Sequence, residues 1–596
     1  MRTFLLCTVV ILFSSSAAFP AERPVIQASD VVFMYSAQDP AQYDSYQGTV
    51  VGWGGLTNSR EADSVKGFQK RVSEATKRGM RYCGSINFLV DFAGYIDYAP
   101  EKFMEAVCRD LNGEPLTVPW LWDHTHKGNP SYWFCFNHPN FQAYLLDQTE
   151  RACMAPIEGL HIDDYSGTSH CSEFNGGCFC PYCMTGFREY LRQQFTPAEL
   201  KQMDILNIDD FDYGDFLRAK NFTADDYKQR HWQCPLVSDF QSYQNEQMKI
   251  RIAAVYEHAE MLRGKPLVRS INSSASSPRT IIPHEIIDYF CGEIHQHAGE
   301  ASISVDPVFV YRMVEALNNR QTATASGQDW AWIKANEKPG KVRTWIAQTY
   351  AFGSVFMVPH RQWCYTQELG THWLNGKPED FAFLYRFVRQ HANLLDQYQS
   401  LANTLTLITD SSFSKMRGAV EKLTEASVPH DLIYQSDDES AALSVDKNTN
   451  YDYLILDKAS PAIVKIAKNA KAVAIEWDGV ASLPDEIRNT VRIEGSDKTR
   501  ASLRYKPDDP TAGVVCHLLN QDYRIERDAA LPASVQVTID QSLFKKAAGS
   551  QRIKKAVIHQ PNQPSREVEI QRSDGSISFS VTNLDLWAIV EFRIDA

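Results

Sequence analysis

The chain reads as an α/β protein: a (β/α)₈ TIM barrel, then a small open α/β domain, then a C-terminal β-sandwich. Three observations predict this. Residues 30 to 397 alternate short β-rich runs with amphipathic segments, close to eight times. No G-x-G-x-x-G or G-x-x-x-x-G-K-[ST] phosphate loop accompanies them, which disfavours a doubly wound nucleotide fold. Beyond about 480 the helical period gives way to apolar/polar alternation, as at Val535, Val537 and Ile539. The 596 residues are 44% hydrophobic and 22% charged, a globular composition that excludes disorder and a membrane bundle.

The elements follow in order. Arg2, the apolar run Phe4–Phe13 and the small residues Ser14–Ala18 read as a signal peptide cut after Ala18. The run is too short to span a bilayer, which needs ~20 apolar residues, so a soluble exported protein is expected, periplasmic or extracellular. The barrel is assigned to 25–397. Its strands are expected at Val31–Tyr35, Ser85–Phe92, Leu116–Trp122, Gly159–Tyr165, Pro266–Ile271, Ile286–Glu293, Gln321–Gly327 and Val355–Pro359. Helices are expected between them, among them Phe141–Met154, Gln244–Leu262, Val308–Leu317 and Arg343–Phe352. Residues 398–480 alternate short strands such as Thr404–Thr409 with helical stretches such as Met416–Ala426. From 481 to 596 the pattern is all-β, including a hairpin turning at Asp574-Gly575.

Charge narrows the partners. With 60 Lys and Arg against 73 Asp and Glu, the net charge is −13, so nucleic acid is disfavoured. The 12 Trp, 26 Tyr and 30 Phe suit a protein that stacks sugars on aromatic faces, although large α/β cores bury many aromatics too. Of 13 Cys, Cys178, Cys180 and Cys183 stand in a C-x-C-x-x-C run too tight to pair easily with one another. They suit one tetrahedral zinc, closed and structural, with Cys135, Cys171 or His170 as the fourth ligand; disulfides are the alternative.

Function in a barrel sits at the C-terminal strand ends. The strand Gly159–Tyr165 closes on Asp163 and Asp164, and strict alternation lets only one of them point into the mouth. Glu293, His295 and His297 alternate after another strand; Asp329 and Trp330 follow a third; Arg361 and Trp363 follow the last. Trp122, Asp123 and His124 close the strand Leu116–Trp122, and Tyr165 follows the acid pair. Glycosidic hydrolysis usually takes two carboxyl groups, one protonating the leaving oxygen and one acting as base or nucleophile. Asp164 is the expected general acid with Asp163 supporting it, and Glu293 or Asp329 is the second carboxylate. The substrate contacts are expected at Trp122, Asp123, His124, Tyr165, His295, Trp330, Arg361 and Trp363. A non-catalytic glycan binder and a metal-dependent hydrolase built on His295 and His297 are the competing classes.

The segment Cys178–Phe195, just after a strand ending Ile-Asp-Asp, resembles glycoside hydrolase family 42, typified by β-galactosidases. That family carries I-D-N-E at the strand end and C-Y-C-x-x-C-x-x-x-F-R-x-W-L after it. Pro339–Trp345, running on to Arg361-Gln362-Trp363, resembles the family's P-G-x-x-R-x-W … W-R stretch. The resemblance implies a zinc set of Cys135, Cys178, Cys180 and Cys183, a trimerisation-type middle domain and hence a homotrimer. It also exposes departures. Asp164-Tyr165 stands where the family has Asn-Glu, and Thr322 falls near its nucleophile. The family's Glu pair therefore does not carry over, and any acid pair here is a different one.

Overall fold

A computed structural model describes residues 25–89, 92–437, 451–457, 472–479, 483–509, 511–548, 553–573 and 575–594. The expected leader lies outside these residues. Eight parallel strands form one sheet: β1 Val32–Phe33, β2 Val50–Val51, β3 Arg81–Asn87, β4 Gly159–Asp163, β5 Val268–Ile271, β6 Tyr289–Ile294, β7 Gln321–Ala325 and β8 Val355–Phe356. Each pairs in parallel with the next. A parallel bridge from Phe33 to Val358, with Val358 N donating to Val32 O at 2.8 Å, brings the last strand back to the first. This is the (β/α)₈ barrel expected from the alternation.

Two strand assignments change. The second strand is Val50–Val51, only two residues long, too short for any period to register. Leu116–Trp122 is not a barrel strand. It belongs to the long β3 loop, where Thr117 bridges Tyr132 and Pro119–Leu121 makes a 3₁₀ turn. Its alternation came from packing on an inserted helical lobe, not on the barrel. That lobe has its own core, in which Trp133, Phe187, Phe240 and Tyr243 surround the cysteines.

After β8 the chain makes a hairpin, β9 Gln362–Thr366 and β10 Gly370–Leu374, which lies against the N-terminus of the helix Gly327–Asn336. Gly327 permits this, because a Cβ there would stand 2.4 Å from the Trp363 ring. Next comes a parallel four-stranded sheet of β11 Thr404–Thr409, β12 His430–Gln435, β13 Tyr453–Asp457 and β14 Val473–Trp477, covered by the helix Phe413–Glu425. Two antiparallel sheets of six and four strands close the chain over a shared apolar core that includes Val515-flanking Val514 and Cys516, Val537, Phe579 and Phe592. The six-stranded sheet begins with Gln399–Ser400, paired to Thr499–Tyr505. Among the described residues no helix is long and apolar enough to cross a membrane.

Candidate active site at the barrel mouth

The strand register assembles the centre of the site. Asn87 ends β3, Asp163 ends β4, and Asn272 follows β5; pairing sets Asn87 level with Asp163, and Ile162 level with Ile271. The three side chains therefore meet. Asn87 Nδ2 donates to Asp163 Oδ2 at 2.9 Å, and Asn272 Nδ2 donates to Asp163 Oδ1 at 2.8 Å. The Asp164 amide adds a third donor to Oδ1 at 2.9 Å. Asn272 reaches this position because Gly292 lies beside it: a Cβ there would stand 2.7 Å from the Ser273 backbone and 2.9 Å from the Asn272 carboxamide.

Alternation would send Asp164 away from its neighbour, yet both carboxylates reach the same Asn87 amide. Asp164 takes a left-handed φ of 46°, which Asp tolerates better than most residues. The kink turns its side chain back, so Asn87 Nδ2 also donates to Asp164 Oδ2 at 3.2 Å.

Glu293 projects from β6, two strands away. Burial pushes its carboxyl up to about 7, and the charge of Asp163 adds to the shift. Burial also raises Asp163, to about 6, while the N–H donors from Asn272, Asp164, Asn87 and Trp53 pull it down. The two acids thus stand in contrasting surroundings. Asp163 is held by donors that favour its anion; among the described residues no hydrogen bond to the Glu293 carboxyl is found, and it favours its proton.

The sequence did not flag several residues that complete the mouth. Tyr35, just past β1, is partly buried, and burial together with the negative charges of Asp163, Glu293 and Asp164 raises its phenol well above the usual range, while the Arg361 charge works the other way. Trp53, past β2, lies 5.9 Å from Tyr35 and 4.3 Å from the ring of His161. His161 is fully buried, is held neutral by burial, and bonds Ser270 Oγ at 3.0 Å, forming a floor beneath Asp163 on the same strand face. Trp373 of β10 lies 5.6 Å from Tyr35 and stacks under Arg361, whose Cζ is 4.2 Å from the indole centroid. Tyr35, Trp53 and Asn87 stand just past, or at the end of, the first three strands. The strand-end rule would have found Trp53 had the two-residue β2 been legible, whereas Tyr35 closes the expected strand Val31–Tyr35 and carried no acid to mark it.

The other expected contacts divide. Asp329 is 2% exposed and satisfied from within the fold: Ser326 Oγ (2.7 Å), Gln296 N (2.7 Å), Ala298 N (2.7 Å) and His295 Nδ1 (3.0 Å) all meet its oxygens. It pins the β6 loop to a helix start. Trp330 is 1% exposed, bonds Thr324 through its indole N–H and packs on Trp345 and Phe356, so it is a core residue. Tyr165 is buried, with its hydroxyl 3.0 Å from Ser273 Oγ. His295 is half exposed, and its ring lies 4.3 Å from that of His297, which itself meets Asp306 and Glu300. Trp363 lies on Gly327 and stacks on Tyr365 at 5.7 Å. Trp122 is 53% exposed on the β3 loop. Asp123 beside it accepts from Thr371 N at 3.2 Å and meets His124 Nδ1 at 2.9 Å, tying that loop to the tip of the β9–β10 hairpin.

Away from the mouth, the sulfurs of Cys135, Cys178, Cys180 and Cys183 all lie within 4.8 Å of one another, fully enclosed. Cys135 Sγ is 3.5 Å from Cys183 Sγ and 3.6 Å from Cys180 Sγ. A tetrahedron with bonds of about 2.3 Å has edges of about 3.8 Å, so the donor set fits a metal ion such as zinc. Asn137 Nδ2 donates to Cys183 Sγ at 3.4 Å, the kind of outer contact that orients a ligand. Cys171 and Cys108 adjoin this group.

No family model matches the chain. Two curated relatives, both alpha-agarases, are 23% identical over 98% of this chain (from Thalassotalea agarivorans) and 25% identical over 93% of it (from Alteromonas agarilytica). The chain spans about two-fifths of their length, 41% and 39%. Among solved structures, alpha-L-fucosidase isoenzyme 2 from Paenibacillus thiaminolyticus superposes with a TM-score of 0.61 at 12% identity, covering 96% of this chain and all of that one. A catalytic mutant of a GH42 beta-galactosidase from G. stearothermophilus gives a TM-score of 0.52 at 11% identity, with the same coverage of each chain. By fold the chain is thus similar to barrel glycoside hydrolases, the GH42 type among them; by sequence it is similar to alpha-agarases.

Proposed function

We propose that the chain is an exported glycoside hydrolase that cleaves an agar-type galactan, with Glu293 and Asp163 as its carboxyl pair. The observation that carries this reading is the contrast between two interacting acids at one barrel mouth. Glu293 keeps its proton near neutrality and is suited to donate it to the leaving glycosidic oxygen. Asp163, held by the Asn87 and Asn272 amides and the Asp164 N–H, is suited to remain an anion. It steadies the positive charge that develops on the sugar ring, or takes the proton of the attacking water. Asp164 shares the Asn87 donor and lies where a sugar hydroxyl would be bound. Tyr35, Trp53 and Trp373 provide the aromatic wall against which the ring packs. Agar as substrate is inferred from the names of the sequence relatives.

Cys135, Cys178, Cys180 and Cys183 would hold a structural zinc that ties the β3 loop to the inserted lobe. Four sulfur donors leave no open position, so no chemical step passes through it.

The test is incubation of the purified chain with agarose and neutral galactan oligosaccharides, scoring new reducing ends. Glu293→Gln and Asp163→Asn should each lower kcat by about a thousandfold or more with melting temperature kept. Full turnover in either variant sinks the assignment; tight binding of intact oligosaccharide without any cleavage favours a non-catalytic glycan binder.

A further inference from the structure

Arg361 lies between β8 and β9, at the barrel mouth. Some enclosed arginines meet carboxylates: Arg81 meets Asp30 at 2.6 Å, Arg269 meets Glu260 at 2.8 Å and Arg504 meets Glu315 at 2.8 Å. Others, such as Arg320, donate to backbone carbonyls, here Ile26 O at 3.0 Å and Gly353 O. Arg361 stands within reach of the charges of the acid cluster, as its effect on Tyr35 shows. Yet among the described residues no carboxylate lies within 4.0 Å of its guanidinium. It lies over the Trp373 ring instead, with Cζ 4.2 Å from the ring centroid. Stacking on an indole orients a guanidinium while leaving the N–H groups on its edge unspent. Trp373 in turn contacts Tyr35, so the half-buried cation borders the space where the sugar would lie.

A guanidinium placed there only to neutralise the acids would be expected to pair with one of them. Asp163 already takes its donors from amides, and Glu293 favours its protonated form. The Arg361 charge and its donor edge are thus left for a ligand. Planar, bidentate donation matches an oxyanion such as a sulfate ester or a carboxylate. We infer that Arg361, stacked on Trp373, is the specificity determinant for an anionic substituent on the galactan, carried on the sugar beside the scissile bond. The inference rests on the galactan-cleaving reading and names the substrate class within it.

The experiment compares kcat/KM of the purified chain on three matched agar-type oligosaccharides: neutral, sulfated and pyruvate-acetalated. Wild type should prefer one or both anionic substrates at least tenfold, and the arm that is preferred identifies sulfate or carboxylate. Arg361→Gln should reduce that preference at least tenfold. Arg361→Lys, which keeps the charge but not the planar fork, should retain part of it. Melting temperatures exclude misfolding. Calorimetric affinity for the same oligosaccharides on the Glu293→Gln background reads the preference without cleavage. If wild type cleaves nothing yet binds the anionic sugar through Arg361, the hydrolase reading fails and this one stands. Equal affinity for neutral and anionic sugars, or an Arg361→Gln loss that is the same for both, overturns it.

Discussion

Replacing Glu293 by Gln should make the protein inactive and, above neutrality, more stable. The folded Glu293 carboxyl titrates at about 7 from a reference of 4.5, chiefly because its surroundings remove water from the anion. A carboxyl whose folded value is raised binds more protons in the native state than in the unfolded one. Its contribution is therefore fully present below about 4.5 and is lost as pH rises towards 7. Moving the carboxyl from 4.5 to about 7, at about 1.4 kcal/mol per tenfold change in proton affinity, sets a ceiling of about 3.5 kcal/mol, or about 3 kcal/mol once its partial access to solvent is discounted. Glutamine has nearly the same shape and no charge to desolvate, so it removes this cost. For a cooperative unit of barrel size, ~3 kcal/mol raises the melting temperature by about 4 °C. The assay is calorimetry of wild type and Glu293→Gln at pH 5 and pH 8. The variant should gain under ~1 kcal/mol at pH 5 and the full effect at pH 8. A gain that is the same at both values, or a loss at pH 8, refutes the desolvated-acid reading and with it the proton-donor role.

Three further outcomes are expected. Under the proposed roles, with Asp163 as the anion and Glu293 as the proton donor, kcat/KM should follow a bell whose limbs fall below about 6 and above about 7, values that belong to the interacting pair; a flat profile from pH 5 to 9 speaks against the pair. Asp329→Asn should destabilise the barrel by about 2–4 kcal/mol, because it weakens four inward hydrogen bonds at once; calorimetry reads this, and a Tm unchanged beside lost turnover would return Asp329 to the chemistry. Cys180→Ser, or prolonged chelation, should release one zinc per chain and lower the melting temperature of the inserted lobe; metal analysis that finds no zinc in the untreated protein rejects the site.

What the sequence determined by itself was periodic or local. Long helices and four-to-seven-residue strands repeat their apolar faces often enough to be read, so the barrel and the β-rich end were legible, and the C-x-C-x-x-C spacing marked the sulfur site without reference to any fold. Strand ends pointed to Asp163, Asp164 and Glu293 as candidate acids, because in a barrel the C-terminal strand ends converge on one rim. The tertiary structure decided the rest. Val50–Val51 is too short to carry a period, so Trp53 stayed hidden, while Leu116–Trp122 alternated for the sake of a different core. Asp164 escapes the two-residue alternation through a left-handed backbone angle, which no side-chain pattern encodes. Asp329 and Asp163 look alike as acids after a strand, and only their partners separate them: one spends its oxygens on loop amides within the fold, while the other is held at the open mouth beside a second carboxyl. That difference is a matter of solvation and neighbouring donors, and those are set by strands brought together from 35 to 373, far apart along the chain.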